Sequence, residues 1–177
     1  MLWSKIENQS KMLGAILTRN HLTIATAESC TGGGIAYAIT EIAGSSAYFN
    51  QSWVTYSNQA KQTQLGVSAG TLEQFGAVSS QTVAEMAQGV YKNSGANLAI
   101  VTSGIAGPGG ATPDKPVGLV HFGFLFNPVN SISNSESQVL TSHHVFSGDR
   151  KQVRDQAISY ALEKAIEIAN NSEQKII

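Results

Sequence analysis

The sequence predicts an α/β fold, a three-layer α/β/α sandwich around a mixed, mainly parallel sheet. Three observations carry that reading. Strand-like and helix-like segments alternate through the first two thirds of the 177 residues, the order that builds parallel βαβ layers. Leu98-Ala99-Ile100-Val101-Thr102 is a near-continuous apolar run, as expected of a strand buried on both faces. Two strand-like runs, 119–126 and 137–146, then follow one another across the polar, turn-rich 127–135, which predicts an antiparallel edge.

The elements follow in order. A first helix is predicted over Ser4–Arg19, because Leu2, Ile6, Leu13, Ile16 and Leu17 recur at helical spacing among polar residues. Leu22–Ala27 reads as a strand that runs into Glu28-Ser29-Cys30-Thr31-Gly32-Gly33-Gly34, and a helix resumes over Ile35–Ile42. Gly44-Ser45-Ser46 is a second small-residue turn before a strand at Phe49–Tyr56. Ser57 or Asn58 caps a helix that Gly66 stops, and a short helix spans Thr71–Phe75. Ser79 caps a longer one to Lys92, with Val83, Met86, Ala87 and Val90 on one face. Leu98–Thr102 empties into the loop Gly104-Ile105-Ala106-Gly107-Pro108-Gly109-Gly110. Leu119–Phe126 and Ser137–Phe146 are the hairpin strands, and Gly148-Asp149 opens a final helix over Arg150–Ala169. Nothing in the chain divides it, so residues 1–177 read as one domain.

Composition removes several classes of function. Apolar residues make up 42% and charged residues 13%, which is globular rather than disordered. A net charge of -1 without a Lys/Arg cluster argues against a nucleic-acid partner. No run of about 18 apolar residues is present, so no membrane partner is expected. The lone Cys30 forms no intramolecular disulfide, which fits a cytoplasmic protein. His143 and His144 point to opposite faces of a strand and lack companions at ligand spacing, so no metal site is expected.

Chemistry is expected at the first glycine turn. A strand that breaks into a helix start presents free N–H groups and the positive end of a helix dipole, which suit a phosphate or an oxyanion. Glycine there lets a ligand approach the backbone. Neither glycine cluster is a P-loop or a G-x-G-x-x-G fingerprint, and a tight turn with a buried serine is the plain alternative. Ser29 needs a base to act as a nucleophile, and no Ser-His-Asp arrangement presents one: His21 precedes the strand and His121 lies within another. Lys61, five residues after Tyr56, is the best-placed candidate, since burial lowers an ammonium pKa; its alternative is an exposed helical lysine. Cys30 is a rival nucleophile or a buried small hydrophobe. Tyr56 is a rim hydroxyl or a core aromatic, Glu28 a general acid or a helix-terminus group, and Arg150 a phosphate clamp or a surface arginine.

Seven segments in order, from Leu22 to Ala169, make the chain resemble the CinA C-terminal domain family, whose characterised members are nicotinamide mononucleotide deamidases. They are 27–33 (Ala-Glu-Ser-Cys-Thr-Gly-Gly), 44–46 (Gly-Ser-Ser), 56–61 (Tyr-Ser-Asn-Gln-Ala-Lys), 76–79 (Gly-Ala-Val-Ser), 104–110, 115–118 (Lys-Pro-Val-Gly) and 148–150 (Gly-Asp-Arg). The resemblance implies hydrolysis of the carboxamide of nicotinamide mononucleotide, giving nicotinic acid mononucleotide and ammonia. It implies Ser29 as nucleophile, Lys61 as general base and Tyr56 as an aid to proton transfer. Substrate-binding roles fall to Thr31, Gly32 and Gly33 (around the oxyanion), Ser45, Ser46, Ser103 and Arg150, the last assigned to substrate phosphate or closure. No cofactor and no metal are implied, the partner is a small pyridine mononucleotide, and a homodimer is expected. Ser103 stands where the family usually has threonine. Gln51-Ser52-Trp53 replaces smaller, glycine-rich residues, and the missing larger N-terminal domain makes the chain read as a stand-alone form. A catalytically silent binding module of the same fold and a Cys30-dependent amidase are the competing functions.

Overall fold

A computed structural model of the chain describes residues 1–128 and 139–171. The beginning of the expected strand at 137, most of the turn-rich 127–135 and the polar tail lie outside the described residues. In chain order the elements are α1 (Leu2–Arg19), β1 (Ile24–Glu28), α2 (Gly34–Thr40), a 3₁₀ turn (Ser45–Ala47) and β2 (Phe49–Val54). They continue with α3 (Asn58–Leu65), α4 (Ala69–Phe75), α5 (Ser80–Ser94), β3 (Leu98–Gly104), β4 (Leu119–Phe126), β5 (Val139–Val145) and α6 (Arg150–Asn171).

The sheet has the order β2-β1-β3-β4-β5. β1 runs parallel to β2 and β3, while β4 runs antiparallel to β3 and β5, so the sheet is mixed. Strand residues alternate between two cores. Ile24, Leu98, Ile100, Phe122 and Phe124 face α1, α2 and α6. Ala25, Ala27, Ala99, Val101 and Leu125 face the other layer, with Val83, Met86 and Val90 of α5. This period-two division is what a strand buried on both faces requires. Each large apolar side chain so buried is worth about 1.5–3 kcal/mol.

Element ends differ from expectation for local reasons. β1 starts at Ile24 because the Leu22 N–H closes α1 on Leu17 O and the Thr23 N–H bonds the Asn97 side chain. It runs on through Glu28, which pairs with Thr102 and Val54. α4 starts at Ala69 because the Ser68 hydroxyl accepts the Thr71 N–H. Ser57 and Ser79 cap α3 and α5 as the sequence predicts. At α6, Asp149 and Gln152 exchange side chain-to-backbone bonds of 2.8 Å each, a reciprocal capping box.

One close approach fixes the helix that carries Lys61. α5 crosses the end of α3 at Gly89, where a Cβ would run into the carbonyl oxygen of Leu65. Glycine is what allows the two backbones to touch there.

Candidate active site

The parallel strands β1, β2 and β3 end side by side, and the residues just past those ends form the site, as expected for an open α/β sheet. Ser29 continues the ladder: its N–H donates to Thr102 O at 3.1 Å. The Thr55 N–H donates to Glu28 O at 2.9 Å, ending the pairing of β2 at this level. Thr31 and Thr102 join hydroxyls at 2.8 Å beneath the turn.

Lys61 lies inside the protein, 1% exposed, among the largest of the fully buried side chains. Its Nζ stands 3.1 Å from Ser29 Oγ, 2.8 Å from Thr55 O and 3.4 Å from Tyr56 O. No carboxylate pairs with it among the described residues. Burial lowers its pKa below the ordinary 10.5, with a smaller opposing pull from Cys30. All three partners are oxygen acceptors, so the charged form donates to each; on losing its proton the amine can keep the two carbonyls and turn its lone pair to the Ser29 hydroxyl.

The neighbouring thiol is chemically quiet. Burial first, and the Glu28 carboxylate second, raise the Cys30 pKa to about 12, so the thiol stays protonated near neutrality. Glu28 is fully buried and accepts the N–H groups of Ile35 and Ala36 at 3.0 and 2.9 Å. It therefore caps α2, and its carboxylate is occupied in doing so.

Ser29 and Lys61 face a cavity of about 250 Å³ whose walls include Cys30, Tyr56, Ser103 and the 104–110 loop. Arg150 closes its rim. One Nη donates to Gly107 O at 2.8 Å and the other to the exposed Tyr56 hydroxyl at 3.0 Å. The arginine thus straps β2's exit to the glycine loop, a closing contact.

Other expected substrate contacts fall elsewhere. Thr31 is fully buried, its hydroxyl held by Thr102 and its carbonyl by Arg154 Nη2 at 2.9 Å. The Gly32 N–H folds back onto Ser29 O at 3.0 Å. Gly32 and Gly33, with φ of 60° and 91°, shape the turn, and neither they nor Thr31 line the cavity. Ser45 and Ser46 form the 3₁₀ turn that precedes β2, at the opposite end of the sheet from Ser29. Their turn leads the chain into β2, with the Tyr48 N–H bonding Ser45 O. The two small-residue turns look alike in sequence, and only the direction of the strands separates them.

Arg154 was not foreseen. It lies one helical turn beyond Arg150, so the i, i+4 spacing on α6 was the available signal. Among the described residues no three His, Cys, Asp or Glu side chains converge on a metal position, and no helix is long and apolar enough to cross a membrane.

Comparison with known proteins gives one consistent answer. A model described as the CinA C-terminal domain matches residues 6–169. A protein of Enterobacter agglomerans named nicotinamide-nucleotide amidohydrolase PncC is 50% identical over 162 residues, 92% of this chain and 94% of the relative. The protein of the same name from Escherichia coli strain K12 is 46% identical over 160 residues, 90% and 92% of the two chains. Among solved structures, the competence/damage inducible protein CihA from Agrobacterium tumefaciens superposes with a TM-score of 0.86. It is 42% identical and covers 94% of this chain and 96% of its own.

Proposed function

The chain belongs to the CinA C-terminal domain family, and from that premise we propose that it is a nicotinamide-nucleotide amidase using a Ser29–Lys61 acyl-enzyme mechanism. Relatives named for nicotinamide-nucleotide hydrolysis along nearly their whole length support the reaction. One observation carries the mechanism: a buried amine, without a carboxylate partner among the described residues, 3.1 Å from a serine hydroxyl at a strand end.

The neutral Lys61 amine takes the Ser29 proton as Oγ bonds to the carboxamide carbon. The C=O electron pair moves onto oxygen, giving a tetrahedral oxyanion. The backbone N–H groups around Cys30 and the 104–110 loop, which border the cavity, are its donors; each such donor is worth about 10²–10³ in rate. As the oxyanion collapses, the C–N bond breaks and the Lys61 ammonium gives its proton to the departing nitrogen, releasing ammonia. Lys61, neutral again, activates water; hydroxide adds to the acyl carbon, and the proton returns to Ser29 as the acid leaves. The Arg150–Tyr56 strap closes the rim over this chemistry. The family resemblance also supports a homodimer in the cytoplasm, and sedimentation tests the first of these.

Ammonia release from nicotinamide mononucleotide is the test. Ser29→Ala is expected to lower the rate by about 10³-fold or more while product still binds. Cys30→Ala is expected to keep activity of the same order. Full activity in Ser29→Ala, or its loss in Cys30→Ala with the fold intact, overturns the assignment. A wild-type protein that binds the mononucleotide and releases no ammonia is a silent binding module.

A further inference from the structure

The cavity around Ser29, about 250 Å³, is small for a whole mononucleotide; ligand pockets commonly run from about 300 to 1,000 Å³. A larger cavity, about 490 Å³, adjoins it and shares Val78 as a common wall. Its lining includes Ser79, Ser80 and Gln81 at the start of α5, together with Lys115, His121 and His143. Two segments that the mechanism leaves without a role, 76–79 and 115–118, therefore meet at its edge.

Strand register connects the two cavities. Ser29 bonds β3 at Thr102, next to Ser103; Ser103 pairs directly with His121, and His121 with His143. Directly paired residues share a face of the sheet, so a single row leads from the nucleophile into the second cavity. At about 4.8 Å per strand, His121 lies about 10 Å from Ser29. That is the reach of a phosphoribosyl group from the carboxamide of its pyridine ring.

We propose that the second cavity holds the phosphoribosyl end of the substrate, with the phosphate against the α5 N-terminus and the His121–His143 pair. The proposal rests on the amidase reading above and deepens it by assigning the phosphate to this cavity.

The chemistry of the lining fits that ligand. Ser79 takes up the Thr82 N–H on its hydroxyl and the Val83 N–H on its carbonyl, so the anion-favouring end of this 15-residue helix is left to the N–H groups of Ser80 and Gln81, which line the cavity. The two imidazoles stack with centroids 5.2 Å apart, and His121 Nδ1 is buried without a hydrogen-bond partner among the described residues. Burial first, then the neighbouring positive charge of His143 and Lys115, lowers the His121 pKa to about 4, so near neutrality the ring is uncharged and Nδ1 can serve as an N–H donor to a phosphate oxygen. Lys115 is held by Phe75 O at 2.6 Å and adds positive charge at the edge. Asp114 is the carboxylate of the lining and suits ribose hydroxyls, which donate to it. Arg150, by contrast, has both Nη groups engaged by Gly107 and Tyr56.

The experiment adds a carboxylate at exposed positions of the cavity, His143→Glu and Gln81→Glu, where folding is not at risk. Ammonia release from the mononucleotide, and its inhibition by ribose 5-phosphate, are measured for both variants and the wild type. The expected result is a rise of about tenfold or more in KM and in the ribose 5-phosphate inhibition constant, with kcat little changed. An unchanged KM in both variants overturns the cavity assignment and leaves the amidase standing. Should the wild type release no ammonia, the amidase reading fails, and thermal stabilisation by ribose 5-phosphate decides the site. Stabilisation lost in both variants supports it; no stabilisation of the wild type overturns it.

Discussion

Lys61 is the residue at which stability and chemistry oppose each other. Its amine sits in the core without a counter-charge among the described residues, and burial holds its pKa below 10.5. The unfolded chain therefore binds more protons than the folded one between the lowered value and 10.5, and stability rises with pH across that window. Lys61→Met removes the burden and the proposed base together. The variant is expected to be inactive yet more stable than wild type at pH 7 in urea unfolding, with the difference shrinking as pH climbs toward 10.5. A less stable variant at pH 7 removes the claim of a costly buried amine. At this scale Ser29, Lys61 and Tyr56, which the structure brings to one cavity, were legible as candidates because strand ends, a helix cap and a hydroxyl-bearing turn are local patterns. Thr31, Gly32 and Gly33 were harder: the turn shows that N–H groups exist, while only the fold shows that the Gly32 N–H bonds back to Ser29. Glu28 and Cys30 stayed open for the same reason, since burial is a property of the surroundings.

Among elements, α3 matters because it holds Lys61, and α5 holds α3. Gly89→Ala adds a methyl where Leu65 O already stands. Alanine gains about 1 kcal/mol of helix propensity, but overpacking against backbone costs about 1–3 kcal/mol, and here no flexible side chain can yield. The expected outcome is a lower urea midpoint together with slower ammonia release, because α3 must shift. A midpoint at or above wild type contradicts the contact. Caps were the most legible part of the architecture: Ser57, Ser79 and Asp149 each begin the helix that their residue type predicts. Ser45-Ser46 misled because small-residue turns serve both ends of a parallel strand, and residue type does not record which end a turn occupies. Strand ends shifted by one or two residues, and at the start of β1 a side chain, that of Asn97, takes the Thr23 N–H in place of a ladder bond.

For the molecule as a whole, the mixed sheet places one histidine where acid acts on it. His121 titrates near 4 in the folded protein against 6.5 when exposed. The folded state then holds fewer protons between those values, so its contribution is complete above 6.5 and declines as pH falls toward 4. Urea midpoints measured from pH 7 to 4 should drop along this limb, and His121→Gln should flatten that part of the curve. An identical slope in the variant excludes His121 as the source. The three-layer order was readable because alternation and the apolar β3 run are properties of the entire chain. The row joining Ser29 to His143 was not, since register across four strands is settled by tertiary pairing that no single segment encodes.

The two fixed acceptors around the Lys61 amine are main-chain oxygens, those of Thr55 and Tyr56. Side-chain replacement at either position leaves those atoms in place, so substitution there can alter the rim without dismantling the cradle beneath it. The entrance can therefore change by substitution while the proposed base keeps both of its carbonyl partners.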